Sequence, residues 1–91
     1  MNLDDWRSKI DEIDNRLVRL IAERIRIAGE IGKKKNEQNR QAEDRAREKV
    51  VLENVTRIAR EENVNAEDVA IIYKEIIAAS KRTQERLKAD A

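Results

Sequence analysis

Two cations, Arg24 and Lys35, stand where the hydrophobic pattern of the N-terminal segment predicts apolar side chains. They lie eleven residues apart, so on a helix they share one face, about 16 Å apart along the axis. Each side chain can extend about 6 Å toward the other, which leaves space between them for one small ligand. Burying a cation costs several kcal/mol unless an anion pairs with it. The pair therefore predicts a site for a small dianion.

Arg7 is a third cation on the same seam, seventeen residues before Arg24. On one helix this separation is about 25 Å along the axis with about 100° of rotation, so Arg7 cannot touch the ligand held by Arg24. If Arg7 is functional, it most simply serves a second site. Two such helices packed antiparallel in a dimer with two-fold symmetry would provide one.

A second group of charges, Asp44, Arg47 and Glu48, has i, i+3, i+4 spacing and shares a helix face with the apolar residues that follow it. One interpretation is an ordinary surface ion pair, which contributes a few tenths of a kcal/mol. The other is that the three side chains border the anion site. Residue chemistry alone favours the surface pair.

In the last hydrophobic segment, Ser80 and Gln84 continue the apolar stripe one and two turns past Ile76. A glutamine at a core position needs hydrogen-bond partners, and its amide can donate to a polarised ligand oxygen. Ser80 by itself carries no such signal, because a serine inside a helix is usually only tolerated.

Three helices must position these residues, and their apolar side chains recur three or four residues apart. We predict an all-α single domain over residues 1–91, with helices at about 3–35, 42–62 and 66–88 and turns at 36–41 and 63–65. Asn2 with Asp5, and Asn65 with Asp68, have the spacing of N-terminal caps. The predicted stripes are Ile10, Ile13, Leu17, Leu20, Ile21, Ile27, Ala28 and Ile31 in the first helix, Val51, Leu52, Val55, Ile58 and Ala59 in the second, and Val69, Ile72, Tyr73, Ile76, Ile77 and Leu87 in the third.

The only two glycines, Gly29 and Gly32, lie inside the first predicted helix. Each costs about 1 kcal/mol relative to alanine there. Close approach of a ligand or of another backbone is a plausible reason for them.

Length and composition exclude several classes of protein. A 91-residue helical chain buries only a modest fraction of its surface, which favours oligomerisation. The net charge of +1 argues against binding to nucleic acid or to a membrane surface; the one basic cluster, at 33–35, could contact phosphates but more simply forms a solvated face. The chain has no cysteine and no histidine, so we expect no disulfide and no zinc or haem site. No apolar run is long enough for a bilayer span or a signal peptide, and we expect a cytoplasmic protein.

The ordered set of these motifs resembles the all-helical class of chorismate mutases over nearly the whole chain. The motifs are Arg7-x2-Ile10-Asp11-x-Ile13-Asp14, Leu20-Ile21-Ala22-Glu23-Arg24, Ile31-Gly32-x2-Lys35, Asp44-x2-Arg47-Glu48 and Ser80-x3-Gln84. The resemblance implies an intertwined homodimer of three-helix chains with two equivalent sites. It also implies conversion of chorismate to prephenate, a step of aromatic amino-acid biosynthesis, without a cofactor or a metal.

The resemblance also implies a role for each site residue. Arg24 would bind a substrate carboxylate, and Arg7 would bind a carboxylate in the site of the partner chain. The remaining roles would be hydrogen bonds to the ether oxygen from Lys35 and Gln84, contacts around the ring hydroxyl from Asp44 and Glu48, and supporting polar contacts from Arg47 and Ser80. Glu48 would accept a hydrogen bond from the hydroxyl rather than act as a general base.

The chain departs from the family's pattern just before Asp44. Family members commonly have a proline-containing sequence there, whereas residues 40–48 of this chain are strong helix formers without proline. We therefore expect the turn between the first two helices to be tighter, displaced or partly helical.

Three other interpretations of the chain remain open. The same scaffold supports a lyase that releases pyruvate from isochorismate, and comparing turnover of the two substrates separates that activity from the mutase. A non-catalytic or regulatory helical dimer would be expected to lack the polar groups on the seam. A plain coiled coil would explain the spacing but predicts apolar residues at Arg24 and Lys35.

Overall fold

The computed structural model describes residues 1–34 and 40–89. They form three helices, α1 (Leu3–Lys34), α2 (Arg40–Glu61) and α3 (Ala66–Ala89), and contain no strand within those two ranges. The prediction of an all-α fold is confirmed. None of the helices in this part of the chain combines the length and apolarity needed to cross a membrane.

Side-chain caps determine where α1 and α3 begin. Asn2 Oδ1 accepts a hydrogen bond of 2.9 Å from the Asp5 N–H, and Asp5 Oδ2 accepts one of 3.1 Å from the Asn2 N–H. This reciprocal pair satisfies donors that the first helical turn leaves unpaired. At α3, Asn65 Oδ1 accepts from the Asp68 N–H at 2.9 Å. Both predicted caps are confirmed.

The turn between α2 and α3 depends on Asn63, which has a left-handed backbone with φ of 59°. The Val64 N–H donates to the Ala59 carbonyl at 2.8 Å, and the Asn63 N–H donates to the Arg60 carbonyl at 3.2 Å. This is the Schellman arrangement that terminates many helices, and asparagine tolerates its left-handed position better than most residues. The chain therefore reverses here, and α3 runs antiparallel to α2.

The start of α2 differs from the prediction. We assigned residues 36–41 to a turn, but α2 already begins at Arg40, so the assignment of Arg40 and Gln41 was wrong. The reason is local: from Arg40 to Glu48 the chain has neither glycine nor proline and consists mainly of strong helix formers. The rest of the predicted turn, residues 36–39, lies outside the described residues.

Helix α3 packs against both of the other helices, whereas the described parts of α1 and α2 do not pack against each other. Two hydrogen bonds join α1 to α3, from Arg24 to Ser80 and from Gln84 to Ala28, and both link residues 56 positions apart. An equal separation in both pairs means that α1 and α3 run parallel through this contact. Helix α3 is thus the common support for the other two.

The glycines of α1 face α3 where the two helices are closest. A Cβ atom at Gly29 would lie 2.9 Å from Leu87 Cδ1, and one at Gly32 would lie 2.8 Å from Gln84 Cγ. Carbon atoms do not approach this closely without a shift, so Gly32 favours glycine, whereas at Gly29 the flexible end of the Leu87 side chain can move aside. We expected a ligand or another backbone to approach these glycines, but the atoms that approach them are side chains of α3.

The buried core of the single chain is small. Among hydrophobic side chains in the described residues, only Val55 and Ala59 are buried. Ile58, Ile72 and Leu87, which we predicted to face inward, are 42%, 57% and 38% exposed. The molecule measures 55 × 29 × 14 Å, so its thickness is close to the diameter of one helix, about 10–12 Å. A single layer of helices cannot enclose both of its faces.

The N-terminal part of α1 carries many exposed apolar side chains. Every residue from 1 to 20 is exposed. The seam that we expected to be buried is therefore not covered within the chain over this part of α1. The large apolar side chains exposed here are Met1, Leu3, Trp6, Ile10, Ile13, Leu17, Val18 and Leu20.

Alanine substitutions at the two glycines should affect stability differently. Each removes a helix penalty of about 1 kcal/mol. Gly29→Ala meets only the end of the partly exposed Leu87 side chain, so we expect a higher free energy of unfolding. Gly32→Ala displaces Gln84 and breaks its bond to Ala28, which offsets the gain by about 1 kcal/mol. Urea unfolding of both variants checks this, and equal stabilisation would contradict a tightly held Gln84.

Candidate functional site

A cleft of about 240 Å³ lies between the three helices, and every helix contributes to its lining. Its apolar walls come from Ile27 and Ile31 of α1, Val51 of α2 and Ile77 of α3. Six of the residues predicted for the site also line it, namely Arg24, Asp44, Arg47, Glu48, Ser80 and Gln84. The fold thus brings together polar side chains from three separate stretches of sequence.

Arg24 is held in the cleft by two residues of α3. Its Nη1 donates a hydrogen bond of 3.1 Å to Ser80 Oγ, and its guanidinium lies over the Tyr73 ring, 5.8 Å from the ring centroid. The Ser80 hydroxyl in turn donates to the Ile76 carbonyl at 3.1 Å, which orients its oxygen lone pairs toward Arg24. Neither contact neutralises the positive charge, so Arg24 remains able to bind an anion.

Gln84 connects α3 to α1. Its Nε2 donates to the Ala28 carbonyl at 2.8 Å, and the missing side chain at Gly32 leaves space for its Cγ and amide. A half-buried amide needs such partners, as the sequence predicted. The contact fixes where the rest of the amide group lies relative to the cleft.

Glu48 pairs across helices rather than along its own helix. Its Oε1 atom is buried and forms an ion pair with the Lys81 ammonium of α3. The side chains of Glu48 and Lys81 are 30% and 50% exposed. The local surface pair that residue chemistry favoured is therefore wrong for Glu48.

Arg47 lines the cleft and is exposed. A neighbouring cavity is lined by Arg47, Arg24 and Tyr73, so the two arginines border both cavities. Within residues 1–34 and 40–89, Arg47 has no hydrogen bond or ion pair. Arg47 is thus a cation at the cleft without an anionic partner in the described chain.

Two predicted site residues are not part of this cluster. Lys35 lies outside the described residues. Arg7 is exposed on the N-terminal part of α1, and because α1 is continuous, it lies about 25 Å from Arg24 along the helix axis. The chain alone does not bring Arg7 to the cleft.

The sequence analysis missed Tyr73 and Lys81 as parts of the site. Tyr73 was assigned to the hydrophobic core; it is half-buried, and its ring also lies beneath the Arg24 guanidinium. Lys81 lies off the apolar stripe of α3, and no local pattern marks it. The signal that could have found it is an opposite charge, Glu48, brought level with it by the antiparallel pairing of α2 and α3.

Comparison with known proteins identifies the family of this fold and cleft. The sequence profile of the family described as chorismate mutase type II matches residues 6–85, which include all eight predicted site residues. The chain belongs to the chorismate mutase type II family.

Individual proteins are also similar in sequence to this chain. A chorismate mutase of Methanocaldococcus jannaschii is 35% identical over 85 residues, covering 92% of this chain and 85% of that protein. Bifunctional chorismate mutase/prephenate dehydratases of Buchnera aphidicola and Escherichia coli are each 33% identical, over 90% and 89% of this chain. This chain spans only 21% of the length of each bifunctional relative. No solved structure matches the chain significantly.

The contact between Tyr73 and Arg24 can be measured as a coupling energy in this family member. In a double-mutant cycle of Tyr73→Leu and Arg24→Met, we expect a coupling of about 0.5–1 kcal/mol in the free energy of unfolding. Tyr73→Phe is the matched control, because it keeps the ring and removes only the hydroxyl. Additive effects of the two substitutions would mean that the ring does not stabilise the guanidinium.

Proposed function

We propose that this chain converts chorismate to prephenate in the cleft between its three helices, and that it does so in the cytoplasm as a homodimer. The observation that carries the proposal is the pair of arginines, Arg24 and Arg47, that face one apolar-walled cleft. Arg24 has only neutral partners there, and Arg47 has no ionic partner among the described residues. A small dianion supplies the charge that both lack.

The charges around the cleft favour such a ligand. Arg24, Arg47 and Lys81 are opposed by Asp44 and Glu48, which leaves one net positive charge before Lys35 is counted. A cation in a partly buried cleft attracts an anion more strongly than one in open water, because the effective dielectric constant is lower. Two carboxylates on one compact substrate fit this arrangement.

The proposed reaction is compatible with the residue types in the chain. A [3,3] rearrangement breaks a C–O bond and forms a C–C bond without proton transfer, so no histidine or cysteine is needed. The arginines would hold the dianion in its compact reactive conformer. Lys35 and Gln84 would donate hydrogen bonds to the ether oxygen as it gains negative charge. Asp44 and Glu48 would contact the ring hydroxyl, with Ser80 supporting Arg24.

The first test is whether the purified chain consumes chorismate, followed by the loss of its absorbance, with prephenate as the product. Isochorismate, assayed for release of pyruvate, tests the lyase alternative. If a properly folded chain consumes neither compound, the result would contradict the proposed function and would favour the interpretation as a non-catalytic dimer.

Lys35 provides the sharpest test of the mechanism. Lys35→Ala should lower kcat about 10³-fold or more, because it removes a charged donor from the ether oxygen in the transition state. Lys33→Ala is the matched control, since Lys33 is exposed near the same end of α1 and pairs only with Glu30. It should leave kcat unchanged. An active Lys35→Ala enzyme with wild-type helicity would contradict the mechanism.

The homodimer is supported by the uncovered apolar face of α1. Residues 1–20 are exposed and include Trp6, Ile10 and Leu17 at 56%, 56% and 49%, a surface that a soluble monomer would rarely leave open. A second copy in antiparallel orientation would cover this face with the same face of its own α1. Two-fold symmetry would then carry Arg7 of each chain toward the cleft of the other.

A mixing experiment tests whether the sites are shared. Arg7→Ala and Arg24→Ala chains should each be inactive alone, because each lacks one guanidinium at both sites. In a heterodimer, one site combines an intact Arg24 with an intact Arg7. After equal mixing and random exchange, we expect about a quarter of wild-type activity per chain.

The two variants should also remain dimeric, which size-exclusion chromatography of each chain checks before mixing. If exchange is demonstrated and no activity returns, then Arg7 does not act across the interface.

A further inference from the structure

Lys81 is a charged residue of the cleft lining to which the proposed function gives no individual role. It follows Ser80 directly and precedes Gln84 by three residues on α3, and all three side chains line the cleft. Its ammonium forms an ion pair with Glu48 Oε1, across the interface of α2 and α3. Lys81 is therefore in direct contact with a carboxylate that the proposed function places beside the substrate.

Because Glu48 Oε1 is buried, its negative charge needs the Lys81 cation beside it. The atom is shielded from solvent and accepts no hydrogen bond from the described residues, and the Lys81 ammonium is the cation that it contacts. A buried carboxylate oxygen without a cation would carry a large desolvation penalty. It would also repel a dianion in the same cleft, and the charge of Lys81 offsets that repulsion.

One turn of α3 holds side chains from both neighbouring helices. Ser80 accepts a hydrogen bond from Arg24 of α1, Gln84 donates to Ala28 of α1, and Lys81 engages Glu48 of α2. Helices α1 and α2 do not pack against each other in the described residues. This turn of α3 therefore determines how the charged groups of α1 and α2 lie relative to each other.

We propose that Lys81 is a positioning residue for the rearrangement: its ion pair fixes Glu48 Oε1, so that Oε2 accepts the hydrogen bond from the ring hydroxyl of the bound dianion. The inference rests on the proposed function and adds a residue to it. Lys81 acts through Glu48 and not on the reacting atoms. Its half-exposed side chain moderates the strength of the pair, so its removal weakens catalysis without abolishing it.

Steady-state kinetics with chorismate test the role. Lys81→Met should lower kcat/KM about tenfold, the size of effect typical for coupled neighbouring groups. Lys81→Arg should keep kcat/KM within about threefold of the wild-type value, because a guanidinium can also pair with Oε1. Lys74→Met is the matched control: it removes the same charge from an exposed position two turns earlier on α3, and kcat/KM should not change.

A second cycle separates positioning from simple attraction of the substrate. In a Glu48→Gln background, Lys81→Met should change kcat/KM by less than about twofold, because the group it positions is gone. An equal loss in both backgrounds would mean that Lys81 attracts the dianion directly. No loss in either background, or a Glu48→Gln enzyme with wild-type kinetics, would likewise overturn the proposal.

Thermal unfolding without substrate completes the experiment. The Glu48→Gln and Lys81→Met substitutions should be non-additive in the free energy of unfolding if the ion pair exists in solution, and additive effects would contradict the pair whatever the activity. A wild-type chain that does not consume chorismate contradicts the proposed function and leaves this coupling measurable. Failure of the reaction and failure of the positioning role are therefore distinguishable.

Discussion

The contact between α1 and α3 is the constraint on which the cleft depends. Two hydrogen bonds, between Arg24 and Ser80 and between Gln84 and Ala28, link residues with the same separation of 56. They set the parallel register of the two helices. Gly32 makes the second bond possible, since a side chain there would occupy the space of Gln84. Glycine at position 32 costs the helix about 1 kcal/mol, but a larger residue there would displace Gln84 from its contact with Ala28.

Polar side chains occupy the space where a more stable helical layer would place apolar ones. Arg24 is half-buried with a hydroxyl and an aromatic ring as partners, and Glu48 has one oxygen buried against Lys81. Replacing buried ionic groups with packed hydrophobic residues is often neutral or stabilising. Stability therefore does not account for these residues, whereas the charged substrate of the proposed function would. Conflicts of this kind between packing and chemistry are expected at functional sites.

The thinness of the layer links the fold to assembly. A layer 14 Å thick leaves both of its faces to solvent, and every residue of α1 from 3 to 20 is exposed. Small helical chains bury a limited fraction of their surface, and the exposed apolar face of α1 is the part of that surface that the proposed dimer would cover. The dimer that we propose would cover this face and complete the cleft in one step, because Arg7 lies within it.

The sequence by itself determined the three helices, the caps at Asn2 and Asn65, and six polar residues that line the cleft. Helix propensity, capping and apolar period act over a few neighbouring residues, so they can be read without knowing the fold. The same local preferences explain the error at Arg40 and Gln41, where polar residues without glycine or proline were taken for a turn. Only the tertiary structure decided that Glu48 pairs with Lys81, that Tyr73 covers Arg24, and that Ile58 and Ile72 stay exposed. The contacting residues lie far apart in sequence, and their contacts depend on how the helices are oriented in the layer. A pattern among neighbouring residues contains no information about either.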